Sequence, residues 1–289
     1  MNNIRTEITL SDINDFAELG LISDPHFGAS SQDPKALKKD FDRMKGCLIG
    51  INGDVFDAIL PSDLKRFDLR AVDPALLAIC DELGMVPLNA AVELAARFLE
   101  PYAHQIVWIG QGNHEAHVSK RHHVSLIPML IAVLNERTGS KIQYGGWCGY
   151  WHITLNRFGK RSGFTIYRHH GAGGSAPVTG GVIDFKRMMT WQMGVDALWI
   201  GHKHNRFHVI DRKMGYVPER NETVERDVHC IMTGSYLDTY GIAPGTKPSY
   251  AEGWNLSPQS KGGAILRLGQ TEEVINGKRK MRTVSSVTL

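Results

Sequence analysis

The stretch Gly201-His202-Lys203-His204-Asn205 directly follows the apolar run Asp196-Ala197-Leu198-Trp199-Ile200. The run predicts a short buried strand, and the glycine predicts a turn at its end. Residues two apart share a face only in an extended segment, so His202 and His204 are expected to point the same way from the strand end. This arrangement suits metal ligation, although two polar loop histidines would read the same way.

Length and composition favour one large domain. The chain has 289 residues, of which 42% are hydrophobic, and this is enough to bury a large core. We expect a single domain over residues 1–289, with a substrate-shaping excursion around 115–165. The formal charge of +3 permits a phosphate-bearing substrate without requiring one.

Cysteine spacing and the start of the chain bear on location. The four cysteines are widely spaced and form no CxxC pair, which excludes a zinc ribbon and a thioredoxin-type site. The N-terminal residues lack a signal-peptide pattern, and no apolar run has the length of a membrane span. The expected location is therefore the reducing cytoplasm, without a membrane partner.

Four other polar clusters also follow strand-like runs. They are Asp24 with His26 after residues 17–23, Asp54 after 47–51, Asn113 with His114 after 105–110, and His169 with His170 after 164–168. Strands separated by helical stretches predict a sheet whose loops emerge along one edge. All five clusters should therefore meet in one place.

The side chains in these clusters offer carboxylate, imidazole and amide donors and no thiolate. This mixture suits Mn²⁺ first, with Fe or Zn²⁺ as alternatives. The candidate ligands outnumber the needs of one ion, so we predict two divalent metal ions. Two ions about 3.5–4 Å apart can clamp a phosphoryl group and activate a bridging hydroxide.

The motifs Asp-x-His, Gly-Asp-x-x-Asp, Gly-Asn-His-Glu, His-Gly and Gly-His-x-His occur in this order between about residues 20 and 210. In this respect the chain resembles the calcineurin-like metallophosphoesterase family of phage and bacterial type. The resemblance implies an α/β fold, specifically a four-layer α/β/β/α sandwich of two mixed β-sheets flanked by helices. It also implies a dinuclear site at the strand ends.

The resemblance assigns roles residue by residue. Asp24, His26 and His204 would hold one metal, Asp54 would bridge both, and Asn113, His170 and His202 would hold the second. His114 would lie just outside the metals and act with Asn113 on the phosphoryl group or the leaving oxygen. The His-Gly pattern favours His170, with His169 as the alternative. Glu115 stands where many members have Asp, and its extra methylene changes its reach toward His114.

The predicted function is hydrolysis of a phosphoester by a metal-bridging hydroxide. Phosphodiesterase or nuclease is the favoured subclass, because a basic patch at 120–123 and a glycine-rich segment at 171–177 suit a larger phosphate-bearing substrate such as nucleic acid. A phosphomonoesterase or protein phosphatase is the alternative. A single-zinc hydrolase and a non-catalytic scaffold are the other hypotheses, and the oligomeric state stays open.

Local patterns also predict individual elements and their ends. The expectations are Asp33 as N-cap with Pro34 first in a helix, helices over 74–83 and 86–99, a helix over 122–136 kinked near Pro128, a helix capped by Asp184 and running through 193, solvated Arg66 and Arg70 within 61–70, an Asp57 that orients its loop, and a last strand at 264–268.

Overall fold

The computed structural model describes residues 1–58, 71–174, 178–240, 252, 255, 257–275 and 278–289. Within these ranges the strands are β1 (Ile4–Thr9), β2 (Phe16–Ile22), β3 (Leu48–Ile51), β4 (Ile106–Gly110), β5 (Gln143–Gly146), β6 (Cys148–Arg157), β7 (Lys160–His169), β8 (Ala197–Ile200), β9 (Phe207–Val217), β10 (Glu222–Met232), β11 (Ala264–Ile275) and β12 (Lys278–Thr288). The α-helices are α1 (Pro34–Arg43), α2 (Pro74–Leu83), α3 (Pro87–Leu99), α4 (Asn113–His122), α5 (Leu126–Thr138) and α6 (Val182–Met188).

The strands form two six-stranded sheets, and both sheets are mixed. The first has the order β12-β11-β2-β3-β4-β5, and its four strands from β2 to β5 are parallel. The second has the order β1-β6-β7-β8-β10-β9, with β7, β8 and β10 parallel. Neighbouring parallel strands end at the same level, since Ile22 pairs with Ile51 and Ile51 pairs with Ile109. Polar residues that follow these ends therefore meet at one edge.

The two sheets pack face to face around three tryptophans. Trp108 of the first sheet lies 5.7 Å from Trp151 and 5.5 Å from Trp199 of the second sheet, measured between ring centroids. All three side chains are fully buried. Burial of such large aromatic rings supplies much of the apolar area that holds the sheets together.

Helices cover the two outer faces. Apolar side chains of α1, α2, α3 and α5 form one buried cluster with β3 and β4 of the first sheet. Phe185 of α6 packs with Tyr167, Leu198 and Cys230 on the outer face of the second sheet. The layers are therefore helices, sheet, sheet and helix, and the predicted α/β sandwich of two mixed sheets is confirmed.

Several predicted helix ends are confirmed. Asp33 caps α1 by accepting a hydrogen bond from the N–H of Ala36, and Pro34 is the first helical residue. Helix α2 spans the predicted 74–83, and Gly84 follows it with φ of 61°. Helix α3 covers the predicted 86–99 apart from Val86, which is its N-cap.

Other local predictions are wrong. Instead of one kinked helix over 122–136 there are two helices, and Pro128 lies in the first turn of α5, where a missing N–H breaks no helical bond. Gly181 rather than Asp184 caps α6, which ends at Met188. Asp184 lies in the first turn of this helix, where a carboxylate interacts favourably with the helix dipole.

The strand predicted at 264–268 is wrong in its extent, because it continues to Ile275 and pairs with β12. Residues 115–165 form α4, α5 and strands of both sheets, so their role toward a substrate stays a prediction. Arg66 and Arg70 lie outside the described residues. Among the described helices none alone has the length and apolarity to cross a membrane; α2 and the helical stretch Pro87–Gln105 reach them only as a pair, bent by 107°.

Candidate metal centre

The predicted site residues meet where the parallel strands of both sheets end. Asp24, Asp54 and Asn113 follow β2, β3 and β4 of the first sheet. His170 and His202 follow β7 and β8 of the second. Of the seven predicted ligands, six fall into two groups whose donor atoms lie within 4.8 Å of one another: Asp24, His26 and His204 in the first group, and Asp54, His170 and His202 in the second.

The first group has three donors directed at a common point. The Nε2 atoms of His26 and His204 are 3.3 Å apart, and Asp24 Oδ1 is 3.5 Å from the Nε2 of His204. Two nitrogens bound at about 2.1 Å to one ion are separated by roughly 3.0–3.4 Å for angles of about 90–109°. The observed separation therefore fits two ligands of one ion.

In the second group a ring nitrogen of His170 lies close to two oxygen acceptors. His170 Nδ1 donates to the carbonyl of Asn52 at 2.8 Å, and this fixes the ring so that Nε2 faces inward. There Nε2 is 3.1 Å from Asp54 Oδ2 and 3.2 Å from Asn113 Oδ1. Three acceptor atoms around one point require a cation, either a proton or a metal, so the donor set fits a divalent ion and includes the seventh predicted ligand, Asn113.

Charge explains the pKa values in this group. Burial alone would lower the pKa of His170, but the charge of Asp54 and its hydrogen bond outweigh burial and raise the pKa to about 10. Burial would raise the pKa of Asp54, and the surrounding histidines, His170 foremost, instead hold it well below its usual value. The centre therefore presents an ionised carboxylate that attracts positive charge.

His169 occupies a different position from His170. Its Nδ1 accepts a hydrogen bond from the N–H of Gly171 at 2.8 Å, and among the described residues it belongs to neither group. Burial and the neighbouring His170 and His202 lower its pKa to about 4. The geometry therefore places His170 rather than His169 among the candidate ligands.

His114 and Asp57 adjoin both groups. His114 Nδ1 donates to the backbone carbonyl of Asp57, and its Nε2 is 4.0 Å from Asp54 Oδ2. Asp57 Oδ1 is 3.5 Å from His26 Nδ1. These three residues also form a cluster of metal-ligand type, but the Nδ1 of His114 is already engaged, so we read the cluster as a network that orients His26 and His114.

Neighbouring carboxylates favour the protonated form of His114. Burial alone would lower the pKa of His114, but the charges of Asp54 and Asp57 outweigh it and raise the pKa. The ring is therefore suited to donate a proton at neutral pH.

The backbone at the ligands adopts an uncommon conformation. Among the described residues ten non-glycine positions have positive φ, and five of them are predicted ligands. The five are Asp24 at 55°, His26 at 51°, Asp54 at 44°, His202 at 64° and His204 at 57°. Such conformations cost about 1–3 kcal/mol each, persist only where surrounding contacts enforce them, and cluster at functional sites.

Backbone groups hold both carboxylates. Asp24 accepts from the N–H of His202 at 3.0 Å, and Asp54 Oδ1 accepts from the N–H of His114 at 3.0 Å. Gly112 lies so close to Asp54 that a Cβ there would be 2.1 Å from Oδ1. A side chain at position 112 would therefore displace the carboxylate.

Glu115 has a role that the sequence reading missed. It is buried, and its two carboxylate oxygens accept from the N–H groups of Phe56 and Gly112, each at 2.8 Å. Burial raises its pKa to about 7. Glu115 therefore joins the loops after β3 and β4, while Asp57 positions His114. The spacing of Gly112 and Glu115 matches a capping box, a signal that could have indicated this role.

Only distant structural similarity connects the chain to known proteins. No protein-family profile matches the chain, and no curated protein matches it by sequence. Among solved structures it is similar to a conserved uncharacterised protein of Streptococcus pneumoniae, described as a predicted phosphoesterase, with 11% identity, a TM-score of 0.32, and coverage of 94% of this chain and 98% of that one. It is also similar to a Thermotoga maritima protein solved by NMR, with 15% identity, a TM-score of 0.28, and coverage of 93% and 99%.

Proposed function

We propose that the chain is a dinuclear metal-dependent phosphoesterase. The observation that carries the proposal is the convergence of seven oxygen and nitrogen donors, which follow strands of the two sheets, into two adjoining groups. In the proposed assignment Asp24, His26 and His204 would hold one ion, Asn113, His170 and His202 would hold the other, and Asp54 would be a ligand shared by both. Divalent ions so bound would supply Lewis acidity and lower the pKa of a water molecule.

The chain itself supplies the proton and the orientation. His114 is held at Nδ1 by Asp57, so its Nε2 faces the Asp54 side of the centre. As a cation it would hydrogen-bond a phosphoryl oxygen or protonate the leaving oxygen. Asn113 adds its amide beside His114 at the start of α4.

We favour a diester or nucleic-acid substrate. Helix α4 begins at Asn113 in the centre and spans 10 residues, about 15 Å, to a basic end that includes the exposed Lys120 and Arg121. Cations at that distance suit a second phosphate of an extended substrate. Mn²⁺ is the proposed metal because three of the seven donors are oxygens and none is a thiolate; Fe and Zn²⁺ are the alternatives that the four imidazoles also suit.

The test combines metal analysis with a substrate screen. Metal content is measured after dialysis against Mn²⁺, Fe²⁺ or Zn²⁺, and hydrolysis is followed with bis-p-nitrophenyl phosphate, p-nitrophenyl phosphate, cyclic nucleotides and single- or double-stranded DNA. The expected result is two equivalents of metal and faster diester than monoester hydrolysis. Asp54→Asn should lose metal and turnover, whereas Asp81→Asn on the exposed side of α2 should lose neither.

The other outcomes assign the alternatives. Monoester hydrolysis that exceeds diester hydrolysis would favour a phosphomonoesterase or protein phosphatase. One equivalent of metal would favour a single-zinc hydrolase. Absence of both metal and turnover would leave the non-catalytic scaffold and overturn the proposal.

A further inference from the structure

The four side chains that follow β8, at residues 202–205, contact two different parts of the protein. His202 and His204 belong to the ligand groups, whereas Lys203 and Asn205 turn to the segment between β7 and α6. Lys203 Nζ donates to the carbonyls of Gly173 at 2.9 Å and Gly174 at 2.6 Å. Asn205 Nδ2 donates to the carbonyl of Gly180 at 2.7 Å. Lys203 and Asn205 therefore bind the backbone between β7 and α6, while the residues that alternate with them, His202 and His204, are candidate ligands.

Lys203 is an unusual lysine because it is only 7% exposed. A buried ammonium is costly unless its donors are satisfied and its charge is paired. Its two hydrogen-bond acceptors are Gly173 and Gly174, and the carboxylate of Asp184 lies 3.6 Å away. These three partners all belong to the segment between β7 and the first turn of α6.

One of these carbonyls also holds a candidate ligand. Gly173 O accepts from Lys203 and lies 3.1 Å from His202 Nε2. A carbonyl only accepts, so Nε2 carries the hydrogen and Nδ1 keeps the lone pair that a metal would use. The segment also packs closely on this residue, since a Cβ on Gly171 would be 2.6 Å from His202 Cβ.

We propose that Lys203 is a positioning residue for His202. By fixing the Gly173 carbonyl, its ammonium sets the orientation and the Nε2–H tautomer of the His202 ring, so that Nδ1 is offered to the group of Asp54 and His170. The metal-binding part of this inference rests on the proposed function; the tautomer does not. Outer contacts of this kind on a ligating histidine are worth about 10–100-fold in metal affinity.

The first test uses metal-free protein. NMR of ¹⁵N-histidine-labelled wild type at pH 8, with the His202 signals assigned from a His202→Gln sample, should show Nε2 protonated and Nδ1 unprotonated. Lys203→Met should populate the Nδ1–H tautomer. Lys213→Met is the matched control, because Lys213 Nζ also donates to a backbone carbonyl, that of Met189 at 2.8 Å; it should leave the His202 signals unchanged. Wild type with Nδ1 protonated, or Lys203→Met with wild-type signals, overturns the inference, and the wild-type spectrum decides even if Lys203→Met fails to fold.

The second test is calorimetric titration with Mn²⁺. Lys203→Met should weaken one of two binding steps by about 10–100-fold while Lys213→Met matches wild type. Two unaltered steps in Lys203→Met would contradict the positioning role. If wild type itself binds no metal, the proposed function fails, and the tautomer measurement still decides the role of Lys203.

Discussion

Metal binding should expel a proton from His170. In the metal-free protein this ring holds a proton between Asp54 Oδ2 at 3.1 Å and Asn113 Oδ1 at 3.2 Å, with a pKa raised to about 10 by Asp54 against the effect of burial. An ion that takes the Nε2 lone pair must displace that proton. From pH 7 to pH 8, which are both well below this pKa, apparent metal affinity should rise about tenfold, and about one proton should be released per chain.

The direction of the pKa shift distinguishes His170 from the candidate ligands His26 and His202. Burial lowers the pKa of His26 and of His202, so these rings are already neutral near pH 7 and release no proton. Because the folded pKa of His170 lies above its usual 6.5, its contribution to the stability of the metal-free protein is complete below pH 6.5. That contribution is lost as the pH rises through about 10. Bound metal should remove this alkaline loss.

The assay is titration calorimetry with Mn²⁺ in two buffers that differ in ionisation enthalpy, at pH 7 and at pH 8. The dependence of the observed enthalpy on the buffer gives the number of protons released. His114→Gln serves as a control, because His114 also has a raised pKa and lies outside the proposed ligand set. Binding that releases no proton in either protein, with the same affinity at both pH values, would refute this account of His170.

Three further predictions concern catalysis and stability. His114→Ala should keep the wild-type metal content and lower kcat by about 10²–10⁴-fold in steady-state assays, because it removes a proton donor; wild-type rates on several phosphoesters would contradict this. Glu115→Gln should lower the free energy of unfolding by about 1–3 kcal/mol in urea titrations, since its amide group would face the N–H of Phe56 or Gly112, and an unchanged midpoint would show that this contact matters little. Trp108→Ala should cost about 3–5 kcal/mol in the same titration because it opens a cavity between the sheets, whereas Trp108→Phe should cost less; equal losses would argue against the packing explanation.

The predictable part of the centre is the part that local pattern determines. Apolar runs followed by Asp24, Asp54 or His202 are short buried strands with polar ends, and parallel pairing aligns those ends. The order of the motifs therefore indicated which residues would meet. It did not indicate distances, tautomers or the left-handed backbone of the ligands, because these depend on loops that come from different strands.

The missed elements lack the usual signals. Helix α4 buries only one apolar side chain, that of Val118, so no helical stripe marks it. Strand β12 is an edge strand that opens with three consecutive charged residues, Lys278, Arg279 and Lys280, a pattern that also describes a solvated tail. Lys203 reads as an exposed turn lysine, because its partners Gly173 and Gly174 lie about thirty residues earlier in the chain.

Each of the two ligand groups draws on both sheets. Asp24 and His26 belong to loops of the first sheet and His204 to the second, while Asp54 is opposed by His170 and His202 in the other group. An ion in either group would therefore cross-link the two sheets at the edge where they meet. If the chain were divided between β5 and β6, each fragment would carry an incomplete set of donors. Recovery of metal binding on mixing the two fragments would therefore report that the two sheets had assembled.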